Sequence, residues 1–435
     1  MSTEVTLDKI IALCKRRGFI FPSADIYGGI NGVYDVGPLG NALKQNIKNA
    51  WLQHITSGPE EVLVMDGAIL GHHEVWKASG HVDNFADPLV DCLNCKKRYR
   101  ADDIDLEKSC THCGIKNWTG IRQFKLMFET QVGAMADATS VAYLRPETAQ
   151  AIFINFKNVF STNRVKIPFG IAQIGKAFRN EITPKQFIFR MREFEQMEVE
   201  FFCKEEDASR FFESWLERRK DFYLSIGIKP EHFKFRAHEK DELAHYSKNC
   251  TDVEFLFPFG WKELEGIANR GNFDLTQHSK FSGKDLAVYD DTLKTSYTPH
   301  VIECSVGVDR LLLALLSNAY HEDVVEGETR TVLQLAPSIA PVLAAFMPLT
   351  KKQSEATTCI YQALKKEGFA VQLDESGSIG KRYRRQDEIG TPVCFTYDFE
   401  SETDQMVTVR DRDTLKQERI YIDRLSVYLK DLLKR

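Results

Sequence analysis

The segment Gly175–Phe202, GKAFRNEITPKQFIFRMREFEQMEVEFF, constrains this chain most. Two strand-like runs flank a turn at Thr183-Pro184-Lys185, and side chains alternate faces along a strand. Arg179 and Glu181 share a face on the first run. On the second, Arg192, Phe194, Gln196 and Glu198 share a face, and Phe189, Met191, Met197 and Val199 point the other way. One side of the hairpin is therefore apolar, and the other sets two arginines and two carboxylates around one aromatic ring. An ordinary amphipathic hairpin would mix lysine, threonine and glutamate on its wet face. A charge set built around a phenylalanine fits a flat, charged ligand such as a nucleotide.

A second region reads similarly. His300–Gly307, HVIECSVG, is strand-like, with Val301, Glu303 and Ser305 on one face and Ile302, Cys304 and Val306 on the other. A glutamate and a serine in an apolar strand are costly when buried without partners, so they point to a ligand cleft. Gly307-Val-Asp-Arg310 follows and opens the apolar helix LLLALL. An arginine in a first helical turn opposes the helix dipole and is explained if it faces a polyphosphate.

Four cysteines, Cys92, Cys95, Cys110 and Cys113, form two C-x2-C pairs separated by fourteen residues. Each pair puts two thiolates on one tight turn, and two such turns close a tetrahedron around Zn²⁺. Such a closed site is structural; the alternative is four free thiols in an exposed loop.

Residues 7–17 read as a helix ended by Gly18. Leu39, Leu43, Ile47, Trp51 and Ile55 then form one apolar stripe on a helix stopped by Gly58-Pro59. Either the chain's own core or a second subunit would bury such a stripe. Residues 204–250 read as a solvated helical insertion, and the strand and helix pattern after 329 reads as a compact α/β domain. In that domain Lys381, Arg382, Arg384 and Arg385 surround Tyr383, a combination suited to phosphate contact and base stacking. A solvated helix face would look the same.

The 435 residues suffice for two or three domains, and the net charge of −5 supplies no global basic field for nucleic acid. No apolar run is long enough to span a bilayer, so no membrane partner is expected. The N-terminus lacks signal-peptide order. Ten cysteines without a secreted framework fit a reducing cytoplasm.

FRNE, a loop and then RxREFxQxE resembles motif 2 of the class II aminoacyl-tRNA synthetases, most closely the dimeric glycyl-tRNA synthetases. YDVGPLGNALKQNIKNAWLQHI is similar to their motif 1, whose helix lies at the homodimer interface. LRPETAQ, WKELEGIANRGNFDL, ECS with GVDR (motif 3), and GSIGKRYRRQDEIGTP in the anticodon-binding domain extend the resemblance over most of the chain. Ala151 and Cys304 depart from the usual glycine and proline.

The resemblance implies an α/β protein of two parts. Residues 1–328 would form an α+β catalytic domain on a mixed, mainly antiparallel sheet of six to seven strands, with a zinc-ribbon-like insertion at about 90–118. Residues 329–435 would bind the anticodon. It implies that Arg179 holds the α-phosphate of ATP and the substrate carboxylate, that Arg310 holds the γ-phosphate, and that Phe194 stacks on adenine beside Glu181. Asn180, Phe189, Arg190 and Arg192 would complete the motif 2 contacts, and Glu263, Leu264 and Gly307 those of the following strands. Glycine would be met by Arg100, Glu147, Gln196, Glu198, Glu303 and Ser305, with Arg179, Glu303 and Arg310 as the catalytic group. ATP with Mg²⁺, glycine and tRNA(Gly) are the implied ligands, and Zn²⁺ lies outside the chemistry.

The reaction is an in-line attack of a carboxylate on the α-phosphate, followed by transfer to tRNA. Alignment and positive charge carry it, without a protein nucleophile. Glycine offers no side chain to grip, so larger amino acids are excluded by size, and no editing domain is needed. Two alternatives stay open: a histidine, threonine or proline enzyme of the same class, and a non-catalytic synthetase-like protein.

Overall fold

The structure is a computed structural model that describes residues 5–133, 140–239, 242, 248–291 and 294–434. Part of the segment before LRPETAQ and part of the expected 204–250 insertion lie outside the described residues.

A seven-stranded sheet organises the first part of the chain. Its strands are β1 (Val62–Val64), β2 (Phe169–Phe178), β3 (Glu193–Cys203), β4 (Phe233–Ala237), β5 (Asn249–Phe257), β6 (Gly260–Gly271) and β7 (His300–Gly307). They lie in the order β4-β5-β6-β7-β3-β2-β1, antiparallel except for the β1–β2 pair. The mixed, mainly antiparallel sheet expected from the sequence is thus present, with the motif 2 and motif 3 strands adjacent.

Six helices flank this sheet: α1 (Leu7–Arg17), α2 (Pro38–Thr56), α3 (Ala149–Asn163), α4 (Ala208–Ser225), α5 (Phe273–Ser282) and α6 (Val308–Ala319). Gly18 ends α1 at φ 73°, a left-handed cap that glycine adopts without strain. One face of the sheet packs Val199, Ile302, Cys304 and Val306 against α2, α4 and α6. At one end of the other face, α3 and α5 close over Phe169, Phe202 and Val301. The rest of that face is left open as a cleft.

One open sequence expectation is decided here and one is corrected. Of the α2 stripe, Leu43, Ile47, Trp51 and Ile55 are fully buried in the chain's own core and Leu39 is half-buried against it, so those four offer nothing to a second subunit. Among the described residues, those from 204 to 239 are not a solvated insertion. Phe211, Trp215, Phe222 and Tyr223 of α4 are buried beneath β6 and β7, and β4 is a strand of the main sheet. Aromatic spacing on α4 was the available signal; its many charged residues hid it.

After a hairpin of Tyr320–Val325 with Glu328–Leu333, a second sheet contains β8 (Ala344–Pro348), β9 (Val371–Leu373), β10 (Val393–Tyr397), β11 (Met406–Asp411) and β12 (Gln417–Tyr421). The order is β9-β8-β10-β11-β12, parallel around β8 and antiparallel from β10 onward. Among the described residues no helix is long and apolar enough to cross a membrane.

Candidate active site

The cleft is built from the motif 2 hairpin. β2 and β3 pair from Phe169 with Phe202 to Phe178 with Glu193. The strand therefore stops before Arg179, and Arg179 and Glu181 stand on the loop beyond it. The loop stays tied to β3 through the Arg179 amide and the Arg192 carbonyl, 2.9 Å apart. The loop is also wider than a turn at 183–185, because Lys185 bridges Arg190 and a 3₁₀ turn at Phe187–Phe189 follows.

The cavity above it holds about 440 Å³. Arg179, Glu181, Phe189, Arg190, Phe194, Glu263, Leu264, Gly307 and Arg310 line it, with Arg100, Glu147, Gln196, Glu198, Glu303 and Ser305. Two expected nucleotide contacts fall outside it. The Asn180 amide bonds the Leu126 carbonyl at 2.7 Å. Arg192 donates to the carbonyls of Asn31 and of Glu181, the latter at 2.9 Å. Both brace the loop.

The Arg179 guanidinium lies 5.3 Å from the Phe194 ring centre and 5.4 Å from that of Phe85, and its Nε donates to the Pro146 carbonyl at 3.1 Å. Arg310 lies 4.5 Å from the Phe189 ring centre and donates to the Glu263 carbonyl at 3.0 Å and carboxylate at 3.1 Å. Each arginine is thus aimed by an aromatic face. Asp309, beside Arg310, anchors the start of α6: it accepts from Lys44 Nζ at 2.6 Å and from the Glu195 amide at 2.8 Å. Burial alone would lower the Lys44 pKa, but Asp309 and Glu195 together hold it above its usual value. Burial pushes Glu181 up, and Arg190 and Arg179 pull against it. Its Oε2 is buried without a hydrogen-bond partner among the described residues.

The deep end of the cleft is acidic. Glu198 accepts from Ser305 Oγ at 2.6 Å, Gln196 Nε2 at 3.1 Å, the Thr148 amide at 2.9 Å and the Thr148 hydroxyl. Glu147 lies 3.3 Å from His81 Nε2 and accepts from Gln150 at 3.0 Å. Burial works against its ionisation, but His81, Arg270 and Gln150 hold its pKa below the usual value. Arg270 grips both oxygens of Glu303 at 3.0 and 3.1 Å and forks onto Asp274 at 2.8 and 2.9 Å. Burial pushes Glu303 up to about 7 despite Arg270, with Glu198 and Glu147 adding to the rise. Sequence reasoning missed Arg270, Asp87 and Phe85. Arg270 shares strand parity with Gly266 on β6, so alternation could have found it.

The zinc-type cysteines sit on the connections between the strands of a small sheet of Ala86–Asp91, Arg98–Arg100 and Arg122–Lys125. The four sulfurs lie within 4.8 Å of one another. Cys92 and Cys113 are 3.6 Å apart, and Cys95 and Cys110 3.7 Å. A tetrahedron with Zn–S bonds of about 2.3 Å has edges of about 3.8 Å, so the donor set fits the ion. The Tyr99 hydroxyl, 3.3 Å from Cys110, is the main cause that lowers that thiol to about 6. The same hairpin brings Arg100 to the cleft, paired with Asp87 at 2.7 Å.

The sequence compares closely with known proteins over its whole length. It is 53% identical over 461 residues to the glycine–tRNA ligase of Caldanaerobacter subterraneus subsp. tengcongensis, covering 100% of both chains. The chain belongs to the glycine–tRNA ligase family. Within that family it is also 50% identical to the enzyme of Clostridium kluyveri, covering 100% of both chains. With the Geobacillus thermodenitrificans enzyme the identity is 49%, over 98% of this chain and 97% of the relative.

Residues 132–319 match the tRNA synthetase class II core domain (G, H, P, S and T), and residues 344–432 the anticodon binding domain. A prolyl-tRNA synthetase from Cryptosporidium parvum, solved with halofuginone and AMPPNP, shares the fold. Its TM-score is 0.68 at 15% identity, over 98% of this chain and 75% of that one.

The KRYRR cluster in this family member is only partly free. Arg382 is buried and donates to the Pro348 carbonyl at 2.6 Å. Arg385 forks onto Asp374 at 2.6 and 3.1 Å. The Tyr383 hydroxyl bonds Thr396 at 2.7 Å, and Arg410 lies 4.7 Å from its ring centre. Arg382 is therefore a structural residue and Tyr383 is not free to stack. Lys381 is exposed and Arg384 half-buried.

Proposed function

We propose that the cleft activates glycine with ATP and that the chain then transfers the glycyl group to tRNA(Gly). One observation carries the reading. Arg179 and Arg310, from distant segments, share a cleft with Glu303 and Ser305 in a chain 53% identical to a glycine–tRNA ligase.

Arg179 and Arg310 supply the positive charge that attacker and triphosphate need, already oriented by Phe194 and Phe189. With Arg179 on the α-phosphate and Arg310 on the γ-phosphate, the nucleotide spans the mouth of the cleft. Glu181 would accept from the adenine amino group, a role supported by its Oε2 having no partner among the described residues. Glu147 and Glu303 face the ammonium of glycine. Glu198 has donors on both oxygens and serves to position Ser305. A ligand without a side chain would be selected here by exclusion of larger ones from the acidic end.

Mg²⁺ neutralises phosphate charge when it accompanies ATP. The Glu263 carboxylate is more than half exposed at the cleft mouth and is the group placed to hold it. The four cysteines would hold a structural Zn²⁺ that fixes the hairpin presenting Arg100. Residues 329–435 are read as the tRNA-anchoring domain, with Lys381 and Arg384 as its phosphate contacts. A homodimer remains the reading, but it must use surface other than the α2 stripe. Ile26 and Tyr27, 89% and 86% exposed, supply apolar area for it, and an active monomer in sedimentation would exclude it. A cytoplasmic setting belongs to the same reading, since the ten cysteines follow no secreted framework.

The test is charging: labelled glycine should be attached to tRNA(Gly) only with ATP present. An ATP-dependent product carrying another amino acid would overturn the reading.

A further inference from the structure

Glu200 is two residues from Glu198 on the same face of β3, and its cross-strand partner on β7 is Glu303. It is fully buried, and among the described residues neither carboxylate oxygen has a hydrogen-bond partner. Glu198, by contrast, has four donors. The charged groups that face Glu200 are Glu198 on β3, Glu303 on β7, Arg270 on β6, and Asp274 on α5. Glu147 and His81 stand beyond Glu303. His278 on α5 is turned to Gln150 at 2.8 Å, and burial holds the Cys250 thiol on β5 neutral, up to about 12. On β2 the opposing residue is Ile171.

Five carboxyl groups thus converge on a pocket where Arg270 is shared between Asp274 and Glu303. A buried carboxylate without donors is costly, and like charges side by side do not all ionise.

We propose that Glu200 and its neighbour Glu303 jointly hold a proton in the free enzyme and release it to solvent when the ammonium group of glycine enters. The cation replaces the proton, so the pocket gains no net charge. The proton balance is one carboxyl plus one ammonium giving one carboxylate–ammonium pair and one proton released. Burial and the Glu303 charge push Glu200 well up, with Arg270 opposing and Glu198 and Asp274 adding to the rise. Glu200 is a positioning residue, because the cavity wall includes Glu303 and not Glu200. The device also favours cations: a neutral ligand of the same shape would leave the proton in place. It rests on the reading of this cleft as a glycine site.

The test is isothermal titration of the full-length protein with glycyl-sulfamoyl adenosine, a non-hydrolysable adenylate mimic that carries the ammonium. Acetyl-sulfamoyl adenosine, which has hydrogen in place of that group, is the control. Heats in buffers of different ionisation enthalpy, at about pH 7, below the amine's own pKa, count the protons exchanged. The wild type should release about one proton per glycyl probe and almost none per acetyl probe. Glu200→Gln should release less than about half as much as the wild type while still binding the probe.

Wild-type binding without release, or equal release by the variant, overturns the inference and leaves the glycine reading standing. Failure of the glycyl probe to bind removes both. If Glu200→Gln does not fold, the wild type decides alone. The difference in release between the two probes should shrink as pH rises above about 7, both because the carboxyls begin to ionise before binding and because the probe's own amine loses its proton and must regain it on binding. A difference that stays constant with pH overturns the inference.

Discussion

Replacing Arg310 with alanine separates catalysis from folding cleanly, because the side chain is 27% exposed and its partner Glu263 is 56% exposed. An exposed pair of this kind contributes about 0–1 kcal/mol to stability, so the melting temperature should fall by only a few degrees. Against a triphosphate the same guanidinium makes a charge-assisted hydrogen bond worth about 1.5–3 kcal/mol. Each ~1.4 kcal/mol is a factor of ten in rate, so kcat/KM for ATP in pyrophosphate exchange should drop about 10- to 150-fold. Arg310→Lys keeps the charge and loses the planar fork, and should recover only part of the loss. The assay is ATP–pyrophosphate exchange with glycine, run beside thermal melting of the same preparation. Normal exchange in Arg310→Ala would remove the motif 3 arginine from the mechanism. A large fall in melting temperature alongside lost activity would show that the arginine holds the helix start instead.

Four further outcomes follow from the acidic end of the cleft, the cysteine cluster and the C-terminal domain. Glu303 has a folded pKa of about 7 against 4.5 for the ordinary carboxyl. The folded chain therefore holds more protons than the unfolded one between those values, and stability falls as pH rises through that window. Glu303→Gln should thus raise the melting temperature more, relative to wild type, at about pH 8 than at about pH 5; equal shifts at both pH values would refute the assignment. Protein purified without chelator should contain about one zinc per subunit, and Cys95→Ser with Cys110→Ser should lose it; metal below a tenth of that with full activity would refute the site. Reversing charge at Lys381 and Arg384 should weaken tRNA charging and lower its salt dependence, which in the wild type should exceed that of activation, while glycine-dependent exchange stays intact. Arg382→Ala should instead destabilise the C-terminal domain, and equal loss of both steps in the folded charge-reversal variant would refute the division.

What the sequence made legible was whatever depends on strand alternation or fixed spacing. Glu303, Ser305 and Glu198 could be placed on one wall because β3 and β7 keep strict parity. The four cysteines declared their site by spacing alone. Arg179 and Glu181 were placed on a strand because the FRNE run continues the alternation; the chain departs at Phe178, where pairing ends. Arg270 keeps the parity of Gly266, but it stands unpaired where the register shifts between Asn269 and Gly271, and alternation does not announce that its side chain reaches Glu303. The α2 stripe was read correctly as buried, but periodicity says nothing about which chain covers it. Arg382 shows the same limit for charge, since a basic cluster does not reveal which arginine turns inward to a carbonyl.

ATP–pyrophosphate exchange measured with each of the twenty amino acids tests the central claim most directly. The account predicts rapid exchange with glycine and background with the other nineteen, alanine included, because the carboxylates hold the ammonium, Arg179 holds the carboxylate, and glycine has no side chain to be selected by, so larger amino acids are excluded by size. Exchange driven by histidine, threonine or proline, or none with any amino acid in folded protein, would contradict it.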